Sequence, residues 1–207
     1  MEKFYLVKPS LERKNDALDY IQEILDNNKN DTDGTNKLKY YLNNYEEWIV
    51  KIEKDEKIVP TEELVPSKTY FFIRENDNKI VGMVHIRLAL NKMLSDIGGN
   101  IGYSIRPSER KKGYSKIQLY LALLECQKNN LDIIMLDCLS KNIKSSKTIQ
   151  ALGGCLIKEE EKIFHDKKVS IQDYYINIKE SITNYENIYM PFLATSEQPK
   201  VTIRGKW

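Results

Sequence analysis

Three scarcities bound what this chain is. Cysteine is the first: Cys126, Cys138 and Cys155 are an odd number without CxxC spacing, which argues against a disulfide framework and against a zinc site, and suits a reducing cytoplasm. No metal is expected. An excess of one charge is the second, since 32 Lys and Arg stand against 30 Asp and Glu. A formal charge of +2 creates no global field for wrapping nucleic acid, so any basic function must be local. Long apolar runs are the third: none approaches the roughly 20 residues of a membrane span, and no charged start followed by an apolar stretch marks a secretory leader. The expectation is a soluble cytoplasmic protein with neither nucleic acid nor membrane as partner. Internal repeats are missing too. So are GxxxxGK[ST] and a GxGxxG after a strand, which ranks ATP and NAD sites low.

What is present is enough for one core: 207 residues, 41% hydrophobic and 30% charged, long for one domain and short for two. "KFYLVKP" reads as a strand stopped by Pro9, and Ser10 suits an N-cap for a helix carrying Ala17, Leu18, Ile21, Ile24 and Leu25 at helical spacing. After the turn cluster "NKNDTDG", the run "TNKLKYYLNNYEEWIVKIEKDEK" has helical periodicity through Leu38, Tyr41, Leu42, Tyr45, Trp48, Ile49 and Ile52. "TYFFIRENDNKIVGMVHIRLAL" reads as a hairpin with a long second strand, "NIGYSIRP" as a strand ended by Pro107, and "YSKIQLYLALLECQKNN" as a helix. "LDIIMLDCL" is the nearly continuous apolar run of a strand covered on both faces. "KNIKSSKTIQALGG" reads as a helix with Asn142 at its N-cap and Gly153 at C′, and two strands around "HDKK" follow. This order predicts a mixed α/β sheet with a parallel pair near its middle. The tail from about Ser181 has weak periodicity and reads as a surface extension or late strand, so the boundaries are placed at 1–180 for the domain and 181–207 for an extension of unknown role.

The stretch "IGYSIRPSERKKGYSK" (101–116) is the most informative. A helix's first turn leaves backbone N–H groups without partners, and the macrodipole adds about half a positive charge there, so phosphate is attracted. Gly113 permits close approach of the backbone, Arg110, Lys111 and Lys112 add cations, and the Ser115 hydroxyl is a further donor. A solvated charge run needs no strand, Pro and Gly in fixed order before a helix; a pyrophosphate cradle does.

These residues resemble motif A of the GNAT N-acetyltransferase superfamily, with pattern Q/R-x-x-G-x-G/A, met by Arg110 and Gly113, and with Ser115 standing where a small Gly or Ala is usual. "NIKSSKTIQALGG" is similar to that superfamily's later helix, with Asn142, Ser145 and Gly153 at the places that contact the coenzyme A arm. The wider string from Val81 to Lys116 looks like the predicted-acetyltransferase branch, and the likeness runs from about Phe4 to Ile178. The resemblance implies a GNAT-type, mostly antiparallel sheet with a central splayed parallel pair, flanked by helices. It implies acetyl-CoA as cosubstrate, in contact with Ile105, Arg110, Lys111, Lys112, Gly113, Tyr114, Ser115, Lys116, Asn142 and Ser145. It also implies transfer of acetyl to a primary amine by direct attack in a ternary complex, with a backbone N–H near Ile105 polarising the thioester. The acceptor would be a small-molecule or peptide amine, and an oligomer is compatible.

One position departs from that pattern. Many members carry a Tyr four residues after the helix Ser, as the acid for the leaving thiolate; here it is Ile149. Tyr103, on the strand of Ile105, is a candidate acid, and His85 in "GMVHIRL" a candidate base because an imidazole titrates near pH 6.5. His165 reads as a solvated hairpin residue. Asp137 and Arg87 read equally as cleft groups or structural partners, and a Cys138 acyl relay lacks any neighbour that would lower the thiol's pKa. A catalytically silent acyl-CoA-binding regulatory domain is the alternative that Ile149 supports.

Overall fold

The computed structural model describes residues 1–28, 32–164 and 166–194. Its elements are β1 (Phe4–Val7), α1 (Lys14–Asn27), α2 (Tyr45–Asp55), β2 (Ser67–Arg74), β3 (Lys79–Arg87), α3 (Lys92–Asp96), β4 (Ile101–Ile105), α4 (Tyr114–Lys128), β5 (Ile133–Leu139), α5 (Ile143–Gln150), β6 (Cys155–Phe164), β7 (Lys167–Asn177) and α6 (Ile178–Tyr189). The strands form two sheets, ordered β1-β2-β3-β4 and β5-β7-β6, in which the ladders are antiparallel.

The expected parallel pair is β4 and β5, but it is not a ladder: the two strands are the facing edges of the two sheets. They meet at their beginnings, where the Asn100 N–H donates to Met135 O at 2.7 Å and the Met135 N–H donates to the Asn100 side-chain oxygen at 2.8 Å. Three residues further along both strands, Tyr103 and Cys138 both lie beside Ser145, so β4 and β5 run in the same direction. The Asn100 side-chain oxygen stands in for the backbone carbonyl of the adjoining rung, and beyond this pair the strands form no ladder.

The core has two parts on opposite faces of the first sheet. Phe72, Val84, Ile101, Ile134 and Leu136 pack with α4 and α6, while Phe71, Ile73 and Met83 pack with Tyr20, Ile21, Ile24 and Trp48 of α1 and α2. Five successive residues of α4, Leu119 to Leu123, are buried, as a helix covered on both sides requires. The sheet covers one side. On the other lies α6, whose Tyr189 ring sits 5.3 Å from that of Tyr120.

Three readings of the sequence change. The aromatic run after Thr35 is not one helix, because Asn36 and Lys37 take φ of 45° and 65° and a short 3-10 turn, Leu38–Tyr40, precedes α2. The Trp48 indole donates to Asn36 O at 3.0 Å and pins that turn to the helix. The long strand after the "NDNK" turn stops at Arg87, and the five-residue α3 follows with its Leu94 N–H capped by Asn91; so short a helix has no periodicity to read. The tail is no separate strand at its start, since α6 runs across residue 180 with Ile178, Ser181 and Tyr189 buried. Beyond it Leu193 bridges Phe4 in parallel and the Ala194 N–H donates to Phe4 O at 2.9 Å.

An ion cluster fixes the turn between β4 and α4. Glu109, 5% exposed, accepts from Arg74 at 2.8 and 3.2 Å and from Lys112 at 2.7 Å. Burial pushes its carboxyl up, but the bonds and charges of Lys112 and Arg74 outweigh this and bring it down to about 2. A carboxylate depressed on folding contributes stability above its unfolded value and loses it as pH falls through the folded one. Replacing Glu109 by Gln is expected to cost about 3 kcal/mol at neutral pH. Denaturation midpoints followed from pH 5 to pH 2 should then fall less steeply than in the wild type.

Candidate active site

The gap between β4 and β5 is built by strand parity. The Arg106 N–H donates to Val81 O and the Arg87 N–H to Asn100 O, so the even-numbered residues of β4 face β3, and alternation turns the N–H and C=O groups of Tyr103 and Ile105 toward the gap. Arg110 Nε donates to Ile105 O at 3.1 Å. Among the described residues β5 forms no ladder with that edge.

The far wall is the start of α5. Asn142 Oδ1 accepts from the Ser145 N–H at 3.2 Å and caps the helix. Ser145 Oγ then lies 3.1 Å from the Tyr103 hydroxyl, and Thr148 Oγ1 3.1 Å from Ser115 Oγ of α4. The other end of α5 is closed as expected: the Gly153 N–H donates to Gln150 O and the Gly154 N–H to Ile149 O, with Gly153 at φ 80°. Ile149 is fully buried in the core. The position where a phenol was sought is therefore sealed, and the phenol that reaches the gap is Tyr103.

The joint before α4 divides its labour. Arg110 braces β4, its Nη1 also donating to Asn27 Oδ1 at 3.2 Å, Lys112 belongs to the Glu109 cluster, and the Tyr114 hydroxyl donates to Glu2 at 2.6 Å while its ring lies 4.8 Å from Phe4. Those side chains hold the loop. Lys111 and Lys116 are exposed. Gly113 is the N-cap of α4 at φ 83°, and a Cβ added there would meet nothing within 4 Å. Next to it lie the first N–H groups of a 15-residue helix, in the left-handed-to-helical turn that makes an anion-binding concavity. This open cradle and the free edge of β4 fit the two ends of acetyl-CoA, diphosphate and pantetheine arm.

Burial raises the Tyr103 hydroxyl to about 12 and the Cys138 thiol, with Asp137 adding to it, to about 11. Both stay protonated near neutrality, and Cys138 offers no thiolate for a relay.

His85 lies on the other side of the sheet. Its cross-strand neighbours are Thr69 and Gly102, whereas Tyr103 is opposite Val84, so the two candidate catalytic residues occupy opposite faces. His85 Nδ1 is 3.1 Å from Thr69 Oγ1, and burial, with the charges of Arg87 and Lys51, lowers the imidazole to about 3. It is neutral at any working pH and holds an added proton poorly. Arg87 donates to Gly98 O and Gly99 O at 2.8 and 2.9 Å, and Asp137, raised by burial, accepts from the Gly98 N–H at 2.6 Å. Both are thus structural partners of one loop that also edges this face. His165 lies outside the described residues.

The sequence reading missed the contribution of the α1–α2 connection, seen only as a turn cluster. Gly34, at φ 76°, lies so close to the sheet that a Cβ would fall 2.7 Å from Tyr103 Cα and 2.6 Å from Met83 O. Asp33 and Asn36 are thereby laid over β3 and β4. The signal available was the "DG" pair, which announces a turn and not what the turn crosses.

Comparison with known proteins agrees with this geometry. The model of the Acetyltransferase (GNAT) family matches residues 21–153. The chain belongs to the GNAT acetyltransferase family. Among curated proteins no sequence matches. Several solved GNAT structures share the fold: spermidine N-acetyltransferase from Vibrio cholerae, in complex with CoA and spermine, is 16% identical with a TM-score of 0.63 over 87% of this chain and 98% of its own. Ribosomal-protein-S5-alanine acetyltransferase from Vibrio fischeri is 16% identical with a TM-score of 0.65, over 87% and 96%. The microcin C7 self-immunity acetyltransferase, in complex with acetyl-CoA and AMP, is 15% identical with a TM-score of 0.61, over 84% and 92%.

A bulky side chain at Gly113 should obstruct the cradle without any clash inside the protein. Gly113→Val is expected to lose about 1–2 kcal/mol of stability from its left-handed backbone and to weaken coenzyme A binding in titration calorimetry. Gly113→Asn, which tolerates that backbone, should remain near wild-type stability and still bind more weakly. Normal binding by both folded variants would exclude this helix start as the phosphate cradle.

Proposed function

We propose that this GNAT chain transfers an acetyl group from acetyl-CoA to a primary amine by direct attack in a ternary complex. The observation that carries the reading is the unladdered edge of β4, with the exposed, glycine-capped start of α4 at one end and the half-buried phenol of Tyr103 at the other. Acetyl-CoA, when bound, supplies an activated thioester. The edge of β4 would hold its arm as a half-strand, the start of α4 with Lys111 and Lys116 would take the phosphates, and the Ile105 N–H would hydrogen-bond the thioester oxygen as charge develops there. Much of the rate would come from placement of the two reactants.

Tyr103 is assigned to the leaving sulfur. A phenol near 12 gives its proton uphill to a thiolate of ordinary pKa about 8.5, so the hydroxyl stabilises the sulfur as a hydrogen-bond donor; the attacking nitrogen, arriving as an ammonium, gives up two protons to solvent, and one returns from solvent to the departing thiolate. Ser145, 3.1 Å away, orients that hydroxyl. The silent-binding alternative rests on Ile149; the Tyr103 hydroxyl beside Ser145 favours the catalytic reading over it.

Acetyl-CoA at a hundredfold excess over its Kd should stabilise the fold by about 2.7 kcal/mol, read as a raised melting temperature, with much smaller shifts from NAD and ATP. Tyr103→Phe should lower kcat for coenzyme A release roughly tenfold, the worth of one hydrogen bond in the transition state, with acetyl-CoA affinity little changed. Equal melting shifts from all three nucleotides, or an unchanged kcat, would count against the assignment.

A further inference from the structure

On the face of β3 opposite Tyr103, a chain of hydrogen bonds determines which nitrogen of His85 carries the proton. Lys51 Nζ lies 2.8 Å from Asn36 Oδ1 and 2.6 Å from Asp55 Oδ2. An ammonium only donates, so the Asn36 atom facing it is the oxygen. The Asn36 amide nitrogen therefore points the other way, donating to Asp55 Oδ2 at 2.9 Å and to Thr69 Oγ1 at 3.1 Å. Thr69 is buried and its hydroxyl has one proton of its own, which needs an acceptor. Among the described residues the acceptor in reach is His85 Nδ1, at 3.1 Å. A proton on Nδ1 instead would face the Thr69 oxygen and strand the buried hydroxyl's own. Nδ1 accepts, and Nε2 carries the hydrogen.

Packing surrounds most of the His85 ring, which is why its proton affinity falls, but the side chain keeps some accessible surface, and Nε2 has no hydrogen-bond partner among the described residues. Two residues along the same face, Arg87 engages Gly98 and Gly99 through Nη1, with Nη2 beside it. Asp33 and Asp137 bring negative charge to this Arg. The face thus offers hydrogen-bond donors on one strand and carboxylates flanking them. We infer that His85, held as its Nε2–H form by the Lys51–Asn36–Thr69 chain, donates a hydrogen bond to an oxygen of the acceptor, so that the substrate is a primary amine also bearing a carboxylate or amide oxygen, as in amino acids and peptides. This rests on the acetyl-transfer reading for its substrate, but not for the state of the imidazole.

The test has two arms. Long-range nitrogen–proton correlation NMR of the wild-type chain, which has two histidines, with His165→Gln to assign them, should show His85 protonated at Nε2; Thr69→Val should release that preference. In kinetics with acetyl-CoA, a panel of amino-acid amides and short peptides is set against spermidine. His85→Met should raise KM for the oxygen-bearing amines about tenfold, the loss of one hydrogen bond, with little change in kcat, and His85→Gln, which keeps a donor there, should recover most of it. An Nδ1–H form, a loss of kcat that Gln does not rescue, or a wild-type preference for spermidine overturns the inference. A wild type that acetylates none of these amines overturns the acetyl-transfer reading and the selectivity with it, while the NMR arm still decides whether His85 is held as a donor.

Discussion

The site depends on one clasp, the pair of bonds by which Asn100 ties β4 to β5. Its backbone N–H makes an ordinary bond to Met135 O, while its side-chain oxygen takes the Met135 N–H that a parallel ladder would have given to the backbone carbonyl two residues earlier, at Gly98. The strands are joined at one end and released along the rest. Without the clasp, two edges would be the borders of independent sheets; with a continued ladder, the backbone groups of Tyr103 and the Ile105 N–H would be engaged, whereas here Arg110 takes only the Ile105 carbonyl. Exposed sheet edges usually invite pairing with another chain. Here one residue of that edge, Tyr103, is met by Ser145 of α5; in the proposed function the pantetheine arm would pair with the rest.

The cationic joint shows that charges near a binding site are often structural. Of the cluster Glu109–Arg110–Lys111–Lys112, the Glu, Arg and one Lys are tied to protein partners. In the proposed function, attraction for phosphate would then rest mainly on backbone N–H groups, aligned by the left-handed Gly113 and the helix behind it. That arrangement has a physical advantage: backbone donors of a helix start are already oriented, whereas long cationic side chains must lose rotamer freedom on each binding event.

The two faces of the first sheet divide the chemistry. On the α4 and α5 side are Tyr103 and Ser145, whose hydroxyls lie 3.1 Å apart. On the α1 and α2 side are His85, Arg87 and the connection carrying Asp33 and Asn36. Since the gap between β4 and β5 is the passage between those sides, an amine presented from one and a thioester held from the other would meet at the level of Ile105.

Alternation and helical spacing located most elements, because each amphipathic segment carries its own period; α3 and the break before α2 escaped, being too short or turned by Asn36 and Lys37. The helix start at Gly113 and the cap at Asn142 were legible too, since capping and left-handed turns use particular residue types within a few positions. Nothing local showed that Arg110 reaches back to Ile105, that Ile149 is sealed in the core, or that His85 and Tyr103 lie on opposite faces. Those are consequences of register between strands distant in sequence. The sequence by itself determined most elements, the glycine-capped start of α4 and the family resemblance, all of which arise within short windows; tertiary structure alone decided which side chains face the gap and which partners His85 meets, because both depend on Asn36, Thr69, Asn100 and Met135 being brought together by packing.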